Sequence, residues 1–147
     1  MKAQILRVVA IIVVLIAGTI TSVRAQSSHL VAVNIPFEFN VRGKTLPPGK
    51  YLVRRALHWI PESLVITDET GRSAAALVTM QVETRMPQTE GKLVFNKYGE
   101  QYFLSQIWEA GESAGRALTK SKRERSLERQ TEKIAMTRET VTLIARH

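Results

Sequence analysis

The sequence predicts an all-β domain: an antiparallel sandwich or small barrel of about seven to eight strands, with one C-terminal helix before the last strand. Three observations carry this expectation. Apolar residues recur at every second position from Val31 to Val41, short β-branched or aromatic runs follow between clusters of Gly, Pro, Asn and Asp, and a stretch after Ser121 repeats its charges every fourth residue.

The first 25 residues stand apart. Lys2 and Arg7 precede an uncharged apolar run from Val8 to Ala17, and Val23-Arg24-Ala25 puts small residues at the minus three and minus one positions. This is the pattern of a secretory signal peptide, residues 1–25, cleaved after Ala25. Its apolar stretch covers roughly 13 residues, short of the about 20 a spanning helix needs, so no membrane span is expected after cleavage. No cysteine follows to carry a lipoprotein anchor. The remainder, residues 26–147, reads as a single β-rich domain, secreted or periplasmic, large enough to bury roughly 65% of its unfolded surface.

The strands follow in order. Val31, Val33, Ile35, Phe37, Phe39 and Val41 share one face of an extended chain, and Pro36, which lacks the ladder N–H, puts that strand at an edge or bends it. Arg42-Gly43-Lys44 opens a connection and Leu46-Pro47-Pro48-Gly49 closes it, with positive φ expected at the glycine, before a strand over Lys50–Leu57. Ser63–Thr67 is a short strand stopped by Asp68-Glu69-Thr70-Gly71. Ser73–Thr84 is another, with Ala74, Ala76, Val78, Met80 and Val82 on its apolar face and Thr79, Gln81 and Glu83 opposite. Lys92–Lys97 and Glu100–Trp108 form a hairpin around Tyr98-Gly99. Glu109–Arg116 reads as a glycine-containing linker, 119–136 as the basic helix and Thr140–Ala145 as a final strand.

In that helix Ser121 and Glu124 have capping-box spacing, and Arg125 with Glu128 and Arg129 with Glu132 stand three apart, where ion pairs contribute a few tenths of a kcal/mol. Only Leu127 and Ile134 give it an apolar stripe, so it is expected to be solvated and lightly docked. Charge is distributed unevenly. The chain carries +8; removal of Lys2, Arg7 and Arg24 leaves +5, all of it after Gly115, since residues 26–115 hold nine basic and nine acidic side chains. Export excludes nucleic acid as a sensible partner and leaves an anionic envelope polymer or another envelope protein.

The runs VNIPFEFNVRGKTLPPGKYLV, KLVFNKYGEQYFLSQIW and SKRERSLER resemble a group of small exported proteins of acidobacterial type. That group's pattern is an IPF or VPF strand, an LPxGxY turn matched here by Leu46, Pro47, Gly49 and Tyr51, an aromatic hairpin and a basic helix. The resemblance covers most of residues 26–147 and implies export. It implies no activity and no catalytic residues.

The chemistry of the residues narrows the function classes. Without cysteine there is no thiol catalysis, iron–sulfur cluster or cysteine-bound zinc, and His29, His58 and His147 lack metal-ligand spacing. No nucleophile elbow or phosphate loop is present, so no cofactor is expected. Glu38, between Phe37 and Phe39, is the carboxylate most suggestive of a site, although an outward acid on an edge strand also discourages sheet-to-sheet pairing. The binding candidates are Trp59, in a loop-like stretch beside His58 and Ile60-Pro61, and Lys122, Arg123, Arg125 and Arg129 on the helix. The leading expectation is an exported non-catalytic binding or structural module of the bacterial periplasm or cell surface. The alternatives are a lipocalin-like carrier holding a small apolar ligand among Val33, Phe37, Phe39 and Leu104, and a small carboxylate-dependent hydrolase or isomerase.

Overall fold

The computed structural model describes residues 29–57, 59–133 and 138–145. The leader expected over 1–25, His58, the end of the expected helix and His147 lie outside the described residues. The chain forms β1 (His29–Ile35), β2 (Phe39–Val41), β3 (Lys44–Leu46), β4 (Gly49–Leu57), β5 (Ile60–Asp68), β6 (Ser73–Glu83), β7 (Lys92–Tyr98), β8 (Gln101–Trp108), β9 (Ala114–Leu118), α1 (Lys122–Lys133) and β10 (Glu139–Ile144). An all-β fold with one helix before the last strand is what the sequence predicts. The ten described strands exceed the seven or eight expected because β2, β3 and β9 are short.

Antiparallel pairing runs β1-β4-β5-β6-β9-β8-β7-β10, and β2 with β3 attaches beside β8. β6 belongs to two layers: Ser73–Val78 pairs β5, and Thr79–Glu83 pairs β9. The sheet therefore curls toward a barrel. It stays open among the described residues, where no hydrogen-bonded pairing joins β1 to β10.

Pro36 bends the chain where the sequence expects. β1 ends at Ile35, and the alternation resumes as β2, whose Phe39 and Asn40 pair parallel with Tyr102 and Phe103 of β8. This parallel pair corrects the expected purely antiparallel sheet. Residues on one strand face thus enter two layers: Val31, Val33 and Ile35 cover the core from one side, Phe39 and Val41 from the other.

The connection after β2 is itself a hairpin. Its left-handed residues are Arg42 (φ 47°) and Gly43 (φ 83°), whereas Gly49, expected to turn, has ordinary backbone and starts β4. Tyr51 then fastens the loop by donating its hydroxyl to the Pro47 carbonyl at 2.8 Å. Two successive positive φ angles favour Asn-Gly. Arg42→Asn is therefore expected to raise the unfolding free energy by about 0.5–1 kcal/mol in urea denaturation, with unchanged slope.

Two other readings change. In β6 the buried side chains are Ala75, Leu77 and Thr79, while Val78 is 64% and Met80 57% exposed, so the expected apolar face is the outer one. Apolar residues occupy both parities of this strand, and Leu77 fills the core while Thr79 Oγ1 satisfies itself on the Glu62 carbonyl at 3.0 Å. The expected linker over Glu109–Arg116 instead turns at Gly111 (φ 82°) and enters β9. There Gly115 faces Trp108: a Cβ on Gly115 would stand 2.5 Å from the indole ring, so glycine admits the ring that covers the strand.

The core is filled by aromatic and branched side chains. Phe39 meets Tyr51 and Phe95 edge-on at centroid distances of 5.2 and 5.7 Å, and Phe37 meets Phe95 at 5.3 Å, the geometry ring quadrupoles favour.

Candidate functional site

Four surface features present chemistry. The first is a groove of about 710 Å³ along the seam between β1 and β10, a volume in the range of ligand sites. Ala32, Val33 and Pro36 from β1 and its exit, Leu52 from β4, and Leu143 and Ile144 from β10 make it mainly apolar; Lys50 and Glu69 stand at its rim. Period-two geometry explains the lining. Val31, Val33 and Ile35 turn into the core, so Ala32 and Asn34 face outward, beside their β4 partners Leu52 and Lys50. The seam closes at one end over Gly91, where a Cβ would touch Ala145 Cβ at 3.5 Å and Val31 Cγ2 at 3.7 Å. Sequence reasoning missed this site because it depends on two strands more than a hundred residues apart remaining unpaired, and no local pattern encodes that.

The second feature is the tip of the β4–β5 hairpin. Leu57 pairs with Ile60, and Trp59 between them is 77% exposed. The expectation of an exposed Trp59 is met. Lys50 and Trp59 lie toward opposite ends of the hairpin, roughly 24 Å apart along β4 at strand rise, so the tryptophan takes no part in the groove.

The third is α1, seated on the outer face of β7 and β8. Tyr98 and Phe103 are buried there outside the main core and meet edge-on at 5.9 Å. The helix starts at Lys122 rather than Thr119, and Ser121 caps it by accepting the Glu124 N–H at 3.1 Å. Glu124 is 4% exposed and receives the Asn96 amide at 2.8 Å. Burial raises its pKa above the ordinary glutamate value, against the opposing pull of Asn96 and Lys120. Tyr98 beside it is pushed up to about 12, first by burial and then by Glu124 and Glu128.

The expected Arg125–Glu128 pairing is replaced. Glu128 binds Lys120, which precedes the helix, and Arg138, which follows it at 3.4 Å. These pairs hold its carboxyl below the usual range, with the Lys120 bond the largest cause. Because α1 lies on its Glu124 and Glu128 side, Lys122, Arg123, Arg125 and Arg129 all face solvent. Arg123 donates to Gln101 Oε1 at 2.7 Å; Lys122, Arg125 and Arg129 make no ion pair among the described residues.

Glu38 borders a smaller polar hollow of about 290 Å³ with Asn40, Glu100 and Arg123, floored by Tyr102, whose ring stacks on Phe37 at 3.9 Å. Of the residues that would line a carrier's interior, Phe39 and Leu104 are packed into the filled core, Phe37 lies at this hollow, and Val33 borders the seam. No group of acidic or histidine side chains among the described residues is arranged to hold a metal ion. No described helix is long and apolar enough to cross a membrane.

Comparison with protein-family models, with curated proteins and with solved structures finds no match.

Proposed function

We propose that this chain is a non-catalytic binding module, exported by its N-terminal leader to the bacterial periplasm or cell surface, and that it binds through the groove between β1 and β10. The observation that carries the reading is the combination of a mainly apolar groove of about 710 Å³ with a core already filled by its own side chains. Ligand contact then belongs to the seam, outside the core. A non-catalytic role is supported by the sequence, in which no nucleophile elbow, phosphate loop or metal-ligand spacing occurs.

The test is a pull-down from the envelope fraction of the native host, comparing the wild-type chain with Ile144→Arg. Ile144 is 51% exposed, so a charge there fills the groove without entering the core. A partner recovered by the wild type and lost with Ile144→Arg supports the reading. Equal recovery by both overturns it, as does finding the chain in the cytoplasmic fraction when expressed with its leader.

A second reading concerns α1. Lys122, Arg125 and Arg129 form a solvent-facing basic face without ion pairs among the described residues, which suits an anionic envelope polymer. On heparin resin, taken as a generic polyanion, Arg125→Ala with Arg129→Ala is expected to weaken retention roughly fivefold at low salt, with the difference shrinking as salt screens it. Salt-insensitive retention, or none lost in the double variant, removes this reading.

A further inference from the structure

We propose that the tip of the β4–β5 hairpin is a membrane contact: Leu57, Trp59 and Ile60 enter the interfacial layer of a phospholipid bilayer, with Trp59 leading. The tip is separate from the groove, whose β4 residues Lys50, Tyr51 and Leu52 lie at the other end of that strand.

The composition of the tip sets it apart from the rest of the surface. Residues 56–61, Ala-Leu-His-Trp-Ile-Pro, include no Asp, Glu, Lys or Arg. Apolar side chains exposed singly are normal on any surface, but here they are contiguous. Trp59 is 77%, Ile60 40% and Leu57 37% exposed, and Ala56 and Pro61 are exposed beside them. Leu57 pairs with Ile60, so the three large side chains stand together at the end of a two-stranded ribbon.

Strand pairing makes that ribbon project. Among the described residues, β1 accompanies β4 only as far as Arg54, and β6 accompanies β5 only from Ser63 onward. Past those points the hairpin has no neighbouring strand. The three residues from Arg54 to Leu57 extend it by roughly 10 Å at strand rise, comparable to the about 5–10 Å by which interfacial segments sink into the boundary between headgroups and acyl chains.

The chemistry favours lipid over the other partners an exposed tryptophan can serve. Indole combines a broad apolar body with a single N–H, which suits the membrane–water boundary. A sugar site would surround the ring with polar side chains, and His58 is the one polar residue in 56–61. An added strand is discouraged by Pro61, which has no N–H to offer it. Behind the tip, Arg54 makes no ion pair among the described residues, and Arg55 is 47% exposed with Glu109 at 3.5 Å. These guanidinium groups match the headgroup phosphates that zwitterionic and anionic lipids share. Glu62 and Glu109 balance them in net charge, so apolar contact drives the binding.

The test uses the exported chain after removal of its leader, with phosphatidylcholine vesicles, alone or mixed with phosphatidylglycerol, whose acyl chains carry bromine at known depths. Sedimentation measures affinity, and tryptophan emission reports the point of contact, because Trp108 is buried. Both vesicle types are expected to bind and to shift Trp59 emission to the blue, with shallow bromines quenching more than deep ones. Trp59→Ala is expected to lose about tenfold or more in affinity. Should that variant fail to fold, Ile60→Ser, which keeps the reporter, is expected to lose about threefold. Added salt, Ile144→Arg, and Arg125→Ala with Arg129→Ala are expected to leave phosphatidylcholine binding unchanged, which separates the tip from the groove and from α1. No binding at millimolar lipid, full binding by Trp59→Ala, or binding abolished by salt and by the α1 variant overturns the proposal. An envelope protein or polysaccharide recovered by the wild type and lost with Trp59→Ala, in the absence of vesicle binding, makes the tip a different kind of site and equally overturns it.

Discussion

Replacing Phe95 by alanine is expected to destabilise the chain by about 3–5 kcal/mol, the largest loss of any single substitution considered. Phe95 is 0% exposed and sits centrally in β7 between Leu104 of β8 and Val141 of β10. Its ring makes edge contacts with both Phe37 and Phe39, the two aromatics on either side of Glu38 where the chain crosses between layers. Truncation removes the transfer energy of the ring, leaves a cavity, and loosens the backing of β10. Urea denaturation measures the first two effects. The third has its own readout: amides of β10 should exchange faster relative to those of β4 in the variant. A loss below about 1 kcal/mol would mean that the three rings do not form one packed cluster.

Asn96→Leu is expected to cost about 3 kcal/mol at pH 8, because it leaves the buried Glu124 carboxylate without its amide donor. The pH dependence identifies the cause. Glu124 has a folded pKa raised above its unfolded value, so between the two the folded state binds more protons, and its contribution to stability falls as pH rises through the folded pKa. Glu128 acts oppositely: its folded pKa is lowered, and the stability it supplies is lost as pH falls below the ordinary glutamate range. Removing the Asn96 amide removes a cause that lowers the Glu124 pKa, extending its window upward. The gap between Asn96→Leu and wild type should therefore be widest at pH 8 and narrow on acidification, while Glu124→Gln, which keeps an acceptor for Asn96, should abolish the narrowing. A gap independent of pH would assign the cost to packing around Tyr98 and Phe103 instead.

These two positions illustrate what could be read from residue order. Asn96 and Glu124 are 28 residues apart, and nothing in NKYG or KRERS marks them as partners. The capping box foresaw the Ser121 cap, since that bond closes within one turn. It could not foresee that the same Glu124 would be buried, which follows from the outer face of β7 needing cover for Tyr98 and Phe103. Likewise Arg125 and Glu128 have the spacing to pair, but Lys120 and Arg138 arrive from segments flanking the helix and take Glu128 first.

The all-β class, the late helix, the bend at Pro36, the turn at Gly99 and the exposure of Trp59 were legible along the chain. Each arises from interactions between neighbours: alternation of side chains, a missing N–H, a φ angle, a hairpin closed over two residues. Which face of β6 is buried, the existence of β9, the parallel pairing of β2 with β8 and the open seam between β1 and β10 were decided only by the assembled sheet. They depend on which distant strand supplies the hydrogen bonds and which side chain fills the core first. In β6, Leu77 prevails over Val78 and Met80 because the core behind it is shaped by Leu64 and Ile66 of β5. At the seam the same rule works in reverse. Every other antiparallel strand of the circuit has partners on both sides, while among the described residues β1 and β10 each have one, and the site proposed for binding is the space left by the pairing that these strands do not make.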